Sequence, residues 1–454
     1  MKSQRLIEPK RLKGFRDYSP QLMALRQTIM SSMRRHASLA GFQEIGTPVL
    51  EYAEVLLGQG GDETDKEVYR FKDHGDRAVA MRFDLTVPFA RYVAEHQGEM
   101  VFPFKRLQIG DVWRGENTQK GRYREFCQCD LDIIGVESMA ADVEIMSSLL
   151  DVLAGVAPTP LTLAIGHRGV LSSVIHCTMP SAFAEATRNE ATEAAILIAI
   201  DKLAKVGRDG VAKILSAIPG VQSGDVDALL SVVLARTPAG DSDLDVVRKA
   251  AAGDVATAAA VDRLEQMIAM VRSCARDSGH SSKVRLDLSI ARGLGYYTGV
   301  VFETTLDQLP GFGSVASGGR YDGLVSRFST RSLGGVGGSI GLDRLVAGLE
   351  ELGLAHAPKT PTVFVAVATE DAGAYGFALA RQLRREGLAC DIGLTTGKLG
   401  NQFKHADRCG YPWVITVGSD EVKTKTFSLK QMATGEEKRH IDAADLVAEI
   451  KSRL

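Results

Sequence analysis

The chain has 454 residues, of which 45% are hydrophobic and 24% charged, and its formal net charge is −2. This length exceeds one ordinary domain, and the composition is that of a soluble globular protein. Near-neutrality excludes a global basic field, so any nucleic acid must be held by local patches and shape. No apolar run is long enough for a membrane span.

The first fifteen residues, MKSQRLIEPKRLKGF, lack the apolar core of a secretory signal, which points to the cytoplasm. The six cysteines, at 127, 129, 177, 274, 390 and 409, show neither a CxxC pair nor zinc spacing, so reduced thiols are expected.

In chain order, LKGFRDYSP precedes a helix expected from about Gln21 to Leu39, closed by Gly41. In GFQEIGTPVLEYAEVL, the residues Phe42, Ile45, Val49 and Leu50 suit a buried strand broken by Pro48. VYRFKDHGDRAVAMRF reads as a hairpin turning at Asp73–Asp76. It runs into DLTVPFARYVAEH, a helix with Thr86 as its cap and Pro88 in the first turn. Asp84 and Thr86 lie at that strand-to-helix corner, where they either face a ligand or only cap the helix.

The stretch FPFKRLQIGDVWRGENTQKGRYREFCQCDLDIIG, residues 102–135, joins two alternating runs by a short polar loop. Along the returning run, Phe126, Gln128, Asp130 and Asp132 share one face, while Cys127, Cys129, Leu131 and Ile133 share the other. The first face, fed by Arg114, Glu116, Arg122 and Arg124, is either a cradle for an amino acid beside a nucleotide phosphate or a solvated charged surface. A helix at about 137–153 and the strand LTLAIGH follow, then an Ala/Leu-rich helical insertion over about 171–281.

Strand signals return in KVRLDLSIARGLGYYTGVVFETTL, where Arg292, Tyr296 and Tyr297 sit on a glycine-loosened bend. GGVGGSIGLDRLVAGLEEL passes from a Gly-rich strand into a helix that carries Arg344 at its start. A cation there opposes the helix dipole unless an anion or a buried partner compensates it. AHAPKTP, residues 355–361, reads as a linker. Beyond it, strands and helices alternate as in a small, mostly parallel α/β domain over 362–454. Lys398 and Lys404 belong to a lysine-rich half of it, which is compatible with RNA backbone contacts.

KGFRDYSP, GFQEIGTPVLE, the 102–135 hairpin, GGSIGLDRL and above all SIARGLGYYTGVVFE together resemble the class II aminoacyl-tRNA synthetases, specifically the histidyl-tRNA synthetase family. MRFDLTVPFARY is similar to the eukaryote-like version. The resemblance implies an α+β fold: an antiparallel-sheet catalytic domain over 1–354 with the helical insertion, and an anticodon-binding domain over 362–454. It implies a histidine pocket at Asp84, Leu85, Thr86, Arg114, Gln128, Asp132, Arg292, Tyr296 and Tyr297. ATP, with Mg2+, would meet Arg114, Glu116, Phe126 and Arg344, and the catalytic arginines would be Arg292, Arg114 and Arg344. Asn117, Gln119, Lys398 and Lys404 would face tRNA, and a homodimer is implied. The chain departs from the family at Gly295, where an aspartate is usual, and at Asn117, where bacterial relatives carry arginine. Its hairpin loop has the shorter, bacterial-like length. The competing reading is a non-catalytic, histidine-sensing regulatory subunit of ATP phosphoribosyltransferase. The retained arginines and the 362–454 module weigh against it.

Overall fold

The computed structural model describes residues 7–58, 62–184, 189–251, 254–277, 282–291, 297–356, 362–394 and 398–453. The chain divides into two compact units, 1–357 and 358–454.

The first unit is built on a mixed sheet, eight-stranded among the described residues, in the order β1-β5-β6-β11-β10-β9-β7-β8. Its strands are β1 (Gln43–Glu44), β5 (Phe104–Trp113), β6 (Glu125–Ile134), β7 (Leu161–His167), β8 (Lys283–Leu286), β9 (Val300–Leu306), β10 (Ser314–Arg320) and β11 (Gly335–Gly341). The run β5-β6-β11-β10-β9-β7 is antiparallel throughout, and only the outer strands β1 and β8 pair in parallel. A small sheet, β2 (Leu50–Tyr52), β4 (Ala78–Met81) and β3 (Arg70–Lys72), stands beside it.

The period-two reading of β6 holds: Cys127, Cys129, Leu131 and Ile133 join the main hydrophobic core with the helices Pro20–Leu39 and Met139–Ala154. The opposite face is not a solvated surface, because Gln128, Asp130 and Asp132 are buried as well. β6 lies inside the sheet, with β5 on one side and β11 on the other, and every residue from Cys127 to Ile134 is buried whichever face it points to.

Two local expectations change. Phe42 is buried, but Val49 is exposed just ahead of the small sheet and Leu50 on it, instead of completing one buried strand. At the next corner the helix Thr86–His96 begins without a Thr86 cap; Asp84 Oδ1 accepts the Val87 N–H at 3.0 Å. The described residues between 168 and 277 are mainly helical as expected, with positive-φ glycines at 207, 220 and 240 breaking the run.

The second unit is a five-stranded sheet among the described residues, ordered β13-β12-β14-β15-β16. Its strands are β12 (Thr362–Val367), β13 (Ala389–Ile392), β14 (Trp413–Val417), β15 (Thr426–Gln431) and β16 (Glu437–Asp442). The β13-β12-β14 pairs are parallel and the β14-β15-β16 pairs antiparallel, so the sheet is evenly mixed rather than mostly parallel. The edge strand β16, EKRHID, escapes a sequence reading because it is almost wholly exposed and charged, as edge strands often are.

Candidate active site

The site forms where the β5–β6 hairpin, β11 and the corner before Thr86 converge. Register places Arg106 opposite Asp132, Gln108 opposite Asp130, and Gly110 opposite Gln128. On the other side of β6, Gly337, Ser339 and Gly341 face Asp132, Asp130 and Gln128. Small residues on β11 leave room above the polar face. At Gly337 even a methyl group would collide with the Asp132 carboxylate.

Arg106 is completely buried and forms an ion pair with Asp132, with Asp130 at 3.5 Å. It also donates to the Leu85 carbonyl and to Gln108 Oε1, each at 2.8 Å. Tyr321, also buried, donates its hydroxyl to Asp132 Oδ1 at 2.5 Å. Burial and the adjacent Asp132 carboxylate push the Tyr321 phenol well above its usual range, so it stays a donor. The Asp132 carboxylate is thereby oriented from two sides.

Gln128 donates to Ser339 Oγ at 2.7 Å, while its Oε1 and Asp130 Oδ1 are buried acceptors without a hydrogen-bond partner among the described residues. Burial pushes the Asp130 carboxyl up to about 7; Arg106 opposes that rise and Asp132 adds to it. Burial also raises the Asp84 carboxyl, against the pull of the Val87 N–H and of Arg114 and Arg106. A face carrying such acceptors suits a ligand rich in N–H donors, because each acceptor left dry and unpaired costs free energy.

Arg114, just past β5, donates from Nε to the Phe83 carbonyl at 3.1 Å. Its guanidinium lies over the rings of Phe83 and Phe126 at 4.4 and 5.1 Å. Glu116 approaches Arg122 at 3.4 Å, and its carbonyl receives Arg124 Nε at 3.3 Å. Asn117 and Gln119 are exposed in the loop, and Gln119 bridges to Arg122. The loop folds onto the helix Leu342–Glu351, where a Cβ at Gly121 would stand 3.5 Å from Arg344 Cα. Arg344 donates to the Phe312 carbonyl and its guanidinium lies 4.9 Å over that ring.

Asp84, Leu85, Thr86, Arg114, Gln128 and Asp132 thus border one region, with Phe126 and Glu116 toward the loop and Arg344 on the helix beside it. Tyr297, just ahead of β9, packs its ring against β10, where a Cβ at Gly319 would meet it at 2.9 Å. Arg292, Gly295 and Tyr296 lie outside the described residues. Lys398 and Lys404 are exposed on the second unit, at and within the helix Leu399–Cys409. Arg106, Ser339 and Tyr321 were not singled out from sequence. The available signal was the pair Arg106 and Gln108, two polar residues on the same face of β5.

Residues 14–345 match the family model for histidyl-tRNA synthetase, and 362–453 match that for the anticodon binding domain. The chain belongs to the histidyl-tRNA synthetase family. It is 41% identical to the histidine–tRNA ligase of Rhodopirellula baltica over 95% of both chains. With that of Wolinella succinogenes it shares 39% identity over 96% of this chain and 97% of the other. The crystal structure of histidyl-tRNA synthetase from Nostoc sp. PCC 7120 superposes with a TM-score of 0.82 at 31% identity, covering 99% of this chain and 100% of that one. A Bacillus halodurans structure described as an ATP phosphoribosyltransferase regulatory subunit/histidyl-tRNA synthetase shares the fold, with a TM-score of 0.72 at 22% identity, over 91% of this chain and 100% of that one. ATP is a substrate of histidyl-tRNA synthetases as a family, and no helix among the described residues is long and apolar enough to cross a membrane.

Proposed function

We propose that the chain is a histidine–tRNA ligase that converts histidine and ATP to histidyl-adenylate and then charges histidine tRNA. The observation that carries this reading is the dry acceptor face of β6, Gln128, Asp130 and Asp132, set beside Arg114. Hydrogen-bonding groups matched to an imidazole and an ammonium reject apolar analogues far better than an apolar pocket does.

In the first step the histidine carboxylate attacks the α-phosphorus of ATP, a P–O bond forms and pyrophosphate leaves. Two anions meet in this step, so fixed cations lower the barrier. Arg114 and Arg292 would stabilise charge at the α-phosphate and Arg344 would hold the γ-phosphate. Mg2+ would enter bound to the ATP phosphates and neutralise the departing pyrophosphate. Phe126 would stack on adenine and Glu116 would accept its amino group. Asp84, Leu85, Thr86, Gln128, Asp132, Tyr296 and Tyr297 would surround the histidine. In the second step a terminal ribose hydroxyl of the tRNA attacks the acyl carbon and AMP leaves.

Residues 1–354 would be the catalytic domain and 362–454 the anticodon-binding domain. Asn117, Gln119, Lys398 and Lys404 would contact tRNA. The exposed Leu50, Tyr52 and Phe71 on the small sheet, with Val49 just ahead of it, support a homodimer contact. We place the reaction in the cytoplasm.

Histidine-dependent exchange of labelled pyrophosphate into ATP tests this directly, with Arg292→Ala as control. Exchange with histidine alone among amino acids, abolished in the control, is the expected outcome. Bound histidine without exchange would instead identify a regulatory subunit.

A further inference from the structure

Ahead of the first long helix, the segment 14–18 is tied to the site rather than trailing from it. The Gly14 carbonyl accepts the Arg124 N–H at 2.8 Å. Gly14 sits at φ +88°, and a Cβ there would meet the Arg124 and Thr118 side chains at 2.7–2.8 Å, so only glycine brings the segment this close. Arg16 reaches Tyr123 Oη at 2.9 Å and Asp343 Oδ1 at 3.0 Å. The Tyr18 hydroxyl donates to the same oxygen at 2.9 Å, and Arg26 pairs with it at 2.5 Å. The other oxygen, Asp343 Oδ2, accepts the Cys127 N–H at 2.8 Å.

These groups also stack. Arg16 lies 4.4 Å over the Tyr123 ring and 4.7 Å over Tyr18, and Arg26 lies 4.1 Å over the same Tyr18 ring. Burial, with the Asp343 carboxylate adding to it, pushes the Tyr18 hydroxyl up to about 12, so it remains a donor. Asp343 immediately precedes Arg344, and Cys127 immediately follows Phe126. One buried carboxylate therefore fixes the spacing between the strand that carries the ring and the helix that carries the arginine. Two guanidinium groups face that one carboxylate, which leaves excess positive charge beside the place of Arg344.

We propose that Arg16 and Tyr18 are positioning residues for the nucleotide half of the site, acting through Asp343 and Tyr123 to hold Phe126 and Arg344 at the separation that ATP requires. This rests on the adenylation reading. The histidine half is held separately, by Arg106 and Tyr321 on Asp132. Disturbing the strap should therefore weaken ATP and spare histidine, whereas a merely structural role would move both together.

The test uses the full chain with Arg16→Ala, Arg16→Lys and Tyr18→Phe. Pyrophosphate exchange gives KM for each substrate, and calorimetric titration with ATP gives its affinity even if histidine-dependent exchange fails. Loss of charge-assisted hydrogen bonds should weaken ATP about tenfold in Arg16→Ala and several-fold in the near-isosteric Tyr18→Phe. Arg16→Lys should recover part of the loss, and KM for histidine should stay within about twofold of wild type. An unchanged ATP affinity in the variants, or equal losses for both substrates, overturns the proposal. Absent exchange in wild type, with ATP binding still weakened by the variants, would count against the ligase reading and not against the strap.

Discussion

Arg106 stands directly across the hairpin from Asp132, and its guanidinium is completely sealed from solvent while pairing with that carboxylate. Removing one partner of such a pair leaves an uncompensated buried charge. Arg106→Leu should therefore destabilise the first unit by about 3–5 kcal/mol. Urea denaturation measures this, and a loss below about 1 kcal/mol would mean that water already reaches the pair.

Gly337→Ala addresses the same carboxylate without touching a charge. The added methyl would press on Asp132 and stand 2.9 Å from the Leu131 carbonyl oxygen. We expect KM for histidine to rise by about tenfold or more, consistent with about 1.4 kcal/mol of lost binding. Exchange kinetics at unchanged ATP concentration would refute this if histidine binding stayed normal.

The Asp130 carboxyl titrates near 7 in the folded protein against 3.8 as its ordinary value. The folded state thus holds this proton more tightly than the unfolded chain. Its contribution to stability is fully present below 3.8 and is lost as pH rises through about 7. Asp130→Asn should remove that loss, so the variant gains on wild type between pH 5 and pH 8. Denaturation midpoints at the two pH values, running parallel for both proteins, would sink the assignment.

Phe126 lies under the Arg114 guanidinium and at the mouth of the proposed adenine site. A base stacked on an aromatic ring is worth about 1–3 kcal/mol. Phe126→Leu should weaken ATP about tenfold while KM for histidine changes little. Equal effects on both substrates would place the ring elsewhere in the site.

Lys404 is exposed on the helix Leu399–Cys409. If it meets a tRNA phosphate, Lys404→Glu should raise KM for tRNA and flatten its salt dependence while leaving exchange without tRNA intact. Unaltered charging kinetics at low salt would remove it from the interface.

Much of this architecture was legible in the sequence because hydrophobic periodicity is local. The helix Pro20–Leu39, the hairpin at 70–81, the 102–135 hairpin and the alternation after 362 all follow from spacing of two or 3.6 residues. The face carrying Gln128, Asp130 and Asp132 followed from the same rule. What the rule could not supply was depth: a row of carboxylates reads as surface until Arg106 from β5 and Tyr321 from just past β10 come to pair with it. Tyr321 is 189 residues from Asp132 in the chain, and Asp343 is 327 from Arg16, so no window along the sequence joins them. Asp84 took the capping role expected of Thr86 because its carboxylate reaches the Val87 N–H from just ahead of the helix. β16 was missed because its inward-facing apolar content is almost confined to Ile441.

The glycines of β11 have a consequence for how this protein can vary. A side chain at Gly335 would strike Tyr321, at Gly337 it would strike Asp132, and at Gly338 it would strike Leu149 and Phe302. These neighbours come from both faces of the sheet, so no single compensating change elsewhere opens space for all three. In a saturation library the strand should appear as a short barcode of forbidden positions, intolerant even to alanine, in contrast to a far more permissive helical insertion. Selection for new amino-acid specificity would then have to work around β11, on the walls that face it, rather than through it.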